Sequence, residues 1–227
     1  MQIENGWLVR VDNRDKYLLM FNPKKFWKGI TGIGQEAFAK LNWPRKITIP
    51  GSVKIIDDSA FYLNEALMEV NIQEGVEEIG CAAFCECRNL AKINIPNSVN
   101  KIDGLAFAKT ALTSLKIPGS AKDLGVEILW GNNKIIDVEI GEGIEYIPGE
   151  MFQFCTSLQR VSIPKSVQKI YAFAFYGCDS MKQIYTNAKE IEHGNNVVVK
   201  SIAEKNSSVG EINSQSVLDE SQPGSEE

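Results

Sequence analysis

Ile95-Pro96-Asn97-Ser98-Val99-Asn100-Lys101-Ile102, with Ala106-Phe107 just beyond, has a near copy later in the chain. That copy is Ile163-Pro164-Lys165-Ser166-Val167-Gln168-Lys169-Ile170, with Ala174-Phe175 at the same distance. Working outward from either stretch, the motif returns every 22 or 23 residues from about Ile30 to Thr186. A fixed period of this size belongs to a stacked solenoid, in which each repeat is one small unit that cannot bury its apolar face alone.

Three columns run through the repeats. The first pairs two apolar residues around a polar one: Ile47/Ile49, Val70/Ile72, Ile93/Ile95, Leu115/Ile117, Val138/Ile140, Val161/Ile163 and Ile184 with Thr186. Such alternation marks a strand with one buried face. Stacked at about 4.8 Å per coil, these strands predict a parallel ladder with inward apolar ribs. Pro50, Pro96, Pro118 and Pro164 follow the column, and proline, lacking an amide hydrogen, ends a ladder. The second column is Ile30/Ile33, Val53/Ile56, Val76/Ile79, Val99/Ile102, Ala121/Leu124, Ile144/Ile147 and Val167/Ile170; it predicts short extended runs on the opposite wall. The third holds Phe38, Phe61, Phe84, Phe107, Phe152 and Phe175. Stretches such as Asp57-Asp58-Ser59-Ala60-Phe61 predict a single helical turn opened by a capping Asp or Ser.

One coil departs from the pattern. Between Gly119 and Gly141 it is one residue short at its start, has Ala121 for Val, and reads Leu129-Trp130-Gly131-Asn132-Asn133 in place of Ala-Phe. Trp130 is expected to fill the phenylalanine column; the alternative is a half-exposed Trp130 that marks a site. Gln73-Glu74-Gly75 and Gly141-Glu142-Gly143 replace the usual strand end and read as turn chemistry.

These motifs resemble the BspA-type leucine-rich repeats, over roughly residues 30–186. The resemblance implies an α/β leucine-rich-repeat solenoid of about seven coils, with a parallel β-ladder on one wall and short strands and single helical turns on the other. It further implies protein recognition, adhesion or host attachment. Gly6–Val11 followed by Tyr17–Pro23 resembles the degenerate hairpin that opens such arrays. The expected organisation is a hairpin or degenerate capping repeat over 1–29, the solenoid over 30–186, a capping segment over 187–202 with an extra strand near Val197-Val198-Val199, and a disordered acidic tail over 203–227.

Charge narrows the partners. From Ala203 onward six acids face one lysine, which accounts for the whole net charge of −5 and leaves residues 1–202 neutral. A neutral array has no electrostatic footprint for nucleic acid, and Lys24, Lys25 and Lys28 read as a solvated turn. No apolar run is long enough to span a membrane. The N-terminus shows no secretory signal, so a cytoplasmic protein is expected, with cell-surface display as the alternative if the chain is truncated.

Catalysis and metal binding find little support. Cys87, Cys155 and Cys178 lie three residues after a column position, in line with Asn64 and Thr110, and read as a small buried ladder. Cys81, Cys85 and Cys87 match no common zinc spacing. The single histidine, His193, lies past the last full coil, so no Ser-His-Asp or Cys-His arrangement suggests itself. No cofactor is expected. What remains is a surface: the polar residues interleaved with the first column. One file is Thr48, Asn71, Asn94, Lys116, Glu139, Ser162, Tyr185; its neighbour is Lys46, Glu69, Lys92, Ser114, Asp137, Arg160, Gln183. Together they form a stripe about 29 Å long at the ladder spacing, the size of an ordinary partner footprint. A protein or extended peptide is the expected partner; a merely solvated face is the alternative.

Overall fold

The computed structural model describes residues 1–195 and 197–201; the expected disordered tail lies outside them. The chain opens with strands β1 (Gln2–Glu4) and β2 (Trp7–Arg10), paired antiparallel. Asn5 and Gly6 turn between them with φ of 51° and 83°, as a tight hairpin requires. Two short helices follow, α1 (Lys16–Phe21) and α2 (Pro23–Phe26). The hairpin is therefore built from the first ten residues, and Tyr17–Phe21 is helical. Leu8, Leu19, Phe26 and Trp27 are buried and close the first coil.

From there the chain winds. The shorter strands make one wall: β3 (Gly32–Ile33), β5 (Ile55–Ile56), β7 (Glu78–Ile79), β9 (Lys101–Ile102), β11 (Asp123–Leu124), β13 (Tyr146–Ile147), β15 (Lys169–Ile170) and β17 (Glu190–Ile191). The longer strands make the other: β4 (Lys46–Ile49), β6 (Glu69–Ile72), β8 (Lys92–Asn94), β10 (Ser114–Ile117), β12 (Asp137–Ile140), β14 (Arg160–Ser162), β16 (Gln183–Thr186) and β18 (Val198–Ser201). All pairings within these walls are parallel, and the first column meets itself rung by rung: Ile47, Val70 and Ile93, then Leu115, Val138 and Val161. Strand β18 pairs with β16 and adds an eighth rung to the seven of the repeat, over the stretch where an extra strand was expected.

The third side of each coil is a run of turns, not a helical turn. Residues such as Glu36, Ser59, Ala82 and Leu105 hold φ between 52° and 58°, the left-handed region that breaks an α-helix. Alternate amides bond within the coil and across to the next. Phe61 and Leu63 donate to Ala83 O and Cys85 O at 2.8 and 3.0 Å, while Tyr62 donates back to Ser59 O at 2.9 Å. The cross-coil bonds hold a backbone conformation that would otherwise be strained. The acids expected as helix caps serve the same ladder: Asp58 Oδ1 accepts from the Cys81 amide of the following coil at 2.7 Å.

Inside, the phenylalanines stack. Ring centroids are 4.7 Å apart for Phe38–Phe61, 5.0 Å for Phe61–Phe84, 5.7 Å for Phe84–Phe107 and 5.1 Å for Phe152–Phe175. In the irregular coil Leu129 takes the ring position, not Trp130. Leu129 is fully buried, its amide donates to Met151 O, and Phe107 donates to the preceding Ile128 O. The cause is the place of the missing residue. Between the buried ladder residue and the next apolar anchor, Cys87 to Leu90 and Asn132 to Ile135 take three steps, but Thr110 to Leu112 takes two. The deletion therefore sits near Ala111, before β10, and moves every later position one place forward. Trp130 then falls outside the core, half-buried.

Two interruptions of the ladders are repaired by side chains. The short wall divides between β11 and β13. In neighbouring coils Asp103, Gly125 and Tyr171 donate to the coil before at this place, but the corresponding residue is Pro148, which has no amide hydrogen. The Tyr146 hydroxyl fills the gap, accepting from Leu124 N at 3.1 Å and donating to Leu124 O at 3.3 Å. Similarly Gln73 donates to Ile49 O at 3.0 Å, but Ile72 faces Pro96. There the Asn94 side chain donates to Ile72 O at 2.7 Å and accepts from Ile72 N at 3.1 Å.

Two stability measurements follow. Phe84→Ala should lower unfolding free energy by about 3–5 kcal/mol in denaturant titration, because the coils above and below cannot close the void. Tyr146→Phe should cost about 1–3 kcal/mol by leaving both Leu124 groups unpaired. In a Pro148→Ala background, where an amide is restored, the same substitution should cost clearly less.

Candidate binding surface

The expected stripe is exposed along the long-strand wall. Thr48, Asn71, Asn94, Lys116, Glu139 and Ser162 are exposed and Tyr185 is half-buried; in the second file Lys46, Lys92, Ser114, Arg160 and Gln183 are exposed and Glu69 and Asp137 half-buried. Strand alternation turns these side chains outward because the residues between them fill the core.

Most of the stripe's charges face one another. Lys46 bonds Glu69 at 2.7 Å, Lys116 bonds Glu139 at 2.6 Å and Arg160 bonds Asp137 at 3.0 Å. Each pair joins facing residues on neighbouring rungs, and the Lys46 ammonium holds the Glu69 carboxyl below its ordinary range. Exposed pairs of this kind contribute little to stability. Among the described residues Lys92 forms no ion pair. Asn94 commits its amide to Ile72, and Tyr185 accepts from Gln183 Nε2 at 2.8 Å.

The stripe is divided by two seams that the periodicity did not reveal. The long wall consists of three sheets, β4-β6-β8, β10-β12-β14 and β16-β18. The first seam, between β8 and β10, coincides with the deletion near Ala111 and with Pro118, whose missing amide removes a ladder donor. For the second, between β14 and β16, nothing in the local sequence supplies a reason. At the seams the core comes to the surface: Ile93 and Val161 are only partly buried. Each lines a depression on the wall. One, about 500 Å³, lies among Thr48, Asn71, Ile93, Asn94 and Ser114; the other, about 480 Å³, among Asp137, Arg160, Val161, Ser162 and Tyr185.

The chemistry-bearing side chains elsewhere are structural. Cys87, Cys155 and Cys178 are buried, and their Sγ atoms lie 3.1–3.2 Å from the carbonyls of Phe61, Leu129 and Phe152 in the preceding coil. Asn64 and Asn132 donate to Phe38 O and Phe107 O in the same way. Glu74 accepts from the Asn97 and Ser98 amides, both at 3.0 Å, and Ser98 Oγ accepts from Gly75 at 2.8 Å. His193 packs edge-on against Phe173 at 5.1 Å. Among the described residues no three His, Cys, Asp or Glu side chains gather to hold a metal, and no helix is long and apolar enough to cross a membrane.

The family model of the BspA-type leucine-rich repeat region matches in six copies, over residues 21–136 and 128–216. No curated protein matches the sequence. Among solved structures the fold is similar to the pneumococcal vaccine antigen PcpA, at 23% identity and a TM-score of 0.44, covering 72% of this chain and 56% of that one. It is also similar to a leucine-rich repeat protein of T. pallidum, at 20% identity and a TM-score of 0.49 over 66% of this chain and 82% of that one. A leucine-rich repeat protein of Bacteroides ovatus matches at 21% identity and 0.45, over 75% and 60%. The chain thus spans less than two thirds of the pneumococcal and Bacteroides chains.

Burial raises the thiols of Cys87 and Cys178 to about 12 and that of Cys85 to about 11, and raises Cys81 and Cys155 as well. Because the thiolate is the reactive form, thiols raised in this way react slowly near neutral pH. A chromogenic disulfide reagent should therefore label the native protein slowly and all five cysteines rapidly in denaturant.

Proposed function

This chain belongs to the BspA-type leucine-rich repeat family, and on that footing we propose that it is a non-enzymatic interaction module whose long-strand wall holds an extended segment of a protein or peptide. The observation that supports this reading most is the pair of seams, because they place partly exposed Ile93 and Val161 within an otherwise polar stripe. Affinity in protein contacts concentrates at a few desolvated anchors. The cross-rung pairs Lys46–Glu69, Lys116–Glu139 and Asp137–Arg160 would set orientation and rate of encounter rather than affinity.

The residues assigned to contact are Lys46, Thr48, Glu69, Asn71, Lys92, Asn94, Lys116, Asp137, Glu139, Arg160, Ser162 and Tyr185. Asn94 acts through the backbone it holds in place. Attachment at a cell surface is the same binding performed outside the cell. A cytoplasmic location is the proposal made from the sequence, and labelling intact host cells with a membrane-impermeant reagent separates the two.

The combined variant Lys92→Gln, Glu139→Gln, Arg160→Gln and Tyr185→Ala, which places no like charges on facing rungs, should abolish capture of partners from a lysate of the native host. Its thermal unfolding should stay within a few degrees of the parent, since surface substitutions change stability by about 0.5 kcal/mol or less. Undiminished capture by a folded variant would remove this wall from the account.

A further inference from the structure

Because the deletion near Ala111 moves Trp130 out of the ring column, Trp130 begins a row of aromatic side chains on the turn wall. It meets Phe154 at 5.9 Å, Phe154 meets Tyr176 at 5.7 Å, and Tyr176 meets Phe173 at 5.9 Å, each pair edge to face. Phe154 and Tyr176 are 42% and 38% exposed, unlike the stacked rings of the core. An exposed apolar row of this kind marks an interaction surface.

Charge identifies what it fits. Phe173 occupies the left-handed turn position that Glu150 and Glu127 occupy in the two coils before, with φ of 57°, 58° and 58°. Phe173 and Tyr176 touch across their turn, and Glu127 stands in the same backbone relation to Trp130, whose amide donates to Glu127 O at 2.9 Å. Both glutamates are half-buried, and among the described residues neither has a cation. Burial and the neighbouring Glu150 push the Glu127 carboxyl above its ordinary range. The rings on these coils already attract cations where the chain supplies them: Lys109 Nζ lies 5.0 Å from the centre of the Trp130 ring and Lys169 Nζ 4.5 Å from that of Tyr171.

We propose that Trp130, Phe154, Phe173 and Tyr176, with Glu127 and Glu150, form a second docking surface, for an arginine-bearing segment of a partner protein. A guanidinium satisfies both halves of the site, since its plane stacks on an aromatic face and its fork bonds carboxylates. Lysine offers only a point charge. A second copy of this chain placed symmetrically on the row would set glutamate against glutamate. The surface lies on the turn wall and not on the stripe, so the two can fail separately.

The test titrates the full chain with nona-arginine, nona-lysine or nona-glutamate peptide at about 0.15 M salt, where long-range attraction is largely screened. The readout is the Trp130 indole N–H resonance, assigned with Trp130→Phe. Nona-arginine should move this resonance and bind severalfold more tightly than nona-lysine, and nona-glutamate should have no effect. Glu127→Gln with Glu150→Gln should weaken the nona-arginine response about tenfold with melting unchanged, and Phe154→Leu should weaken it as well in a chain that still unfolds cooperatively. The proposal is overturned if the Trp130 signal stays still while the peptide binds elsewhere, such as the acidic C-terminal residues. It is also overturned if the paired glutamine variant responds as the parent does.

Discussion

Each coil of this protein has only the coil above and the coil below to bond with. That constraint governs the rest, because every buried backbone amide and carbonyl that its own coil leaves unpaired must find its partner across a gap of about 4.8 Å. The strands satisfy it by parallel pairing. The turn wall satisfies it by alternating bonds within and between coils, which is why residues such as Leu63 and Glu86 accept φ of 55° and 60°. At Pro148 and Pro96, which remove a donor, a side chain steps in: the Tyr146 hydroxyl at Leu124 and the Asn94 amide at Ile72; at Pro118 the long wall divides instead.

Much of this was legible in the residues. The phenylalanine column, the alternation along the strands and the place of Cys87, Cys155 and Cys178 depend only on which side chains are apolar and how far apart they stand, and periodicity reports both directly. The outward files from Lys46 to Tyr185 followed from the same alternation. What escaped were features set by a single residue. The missing residue near Ala111 is visible only when the spacing from Thr110 to Leu112 is compared with that from Cys87 to Leu90. Without that comparison Trp130 looks like a larger phenylalanine. Pro148 stands outside the proline column, where periodicity does not report it, although its lost amide divides the short wall. The single helical turn was expected from Asp-Asp-Ser-Ala because capping residues favour helices; here the following coil competes for the same amides and wins.

The walls divide the labour of the molecule. The interior is given over to stacked rings and branched aliphatics, and the buried cysteines and asparagines tie successive coils together at the carbonyls of Phe38, Phe61, Phe107, Leu129 and Phe152. The long-strand wall shows an ordered polar stripe opened at two seams. The turn wall of the later coils shows aromatic rings beside uncompensated carboxylates. A solenoid can carry such unlike surfaces because each is set by a different column, and columns change without disturbing the ladder.

Hydrogen exchange of the turn-wall amides, followed residue by residue, tests the stacked-coil account most directly. If the coils are joined on all three sides, the amides of Phe38, Phe61, Leu63, Phe84 and Phe107 will exchange as slowly as those of the paired strands, opening only with the fold as a whole. Exchange of these amides at the rate of an unprotected loop, with the strands still protected, would contradict it.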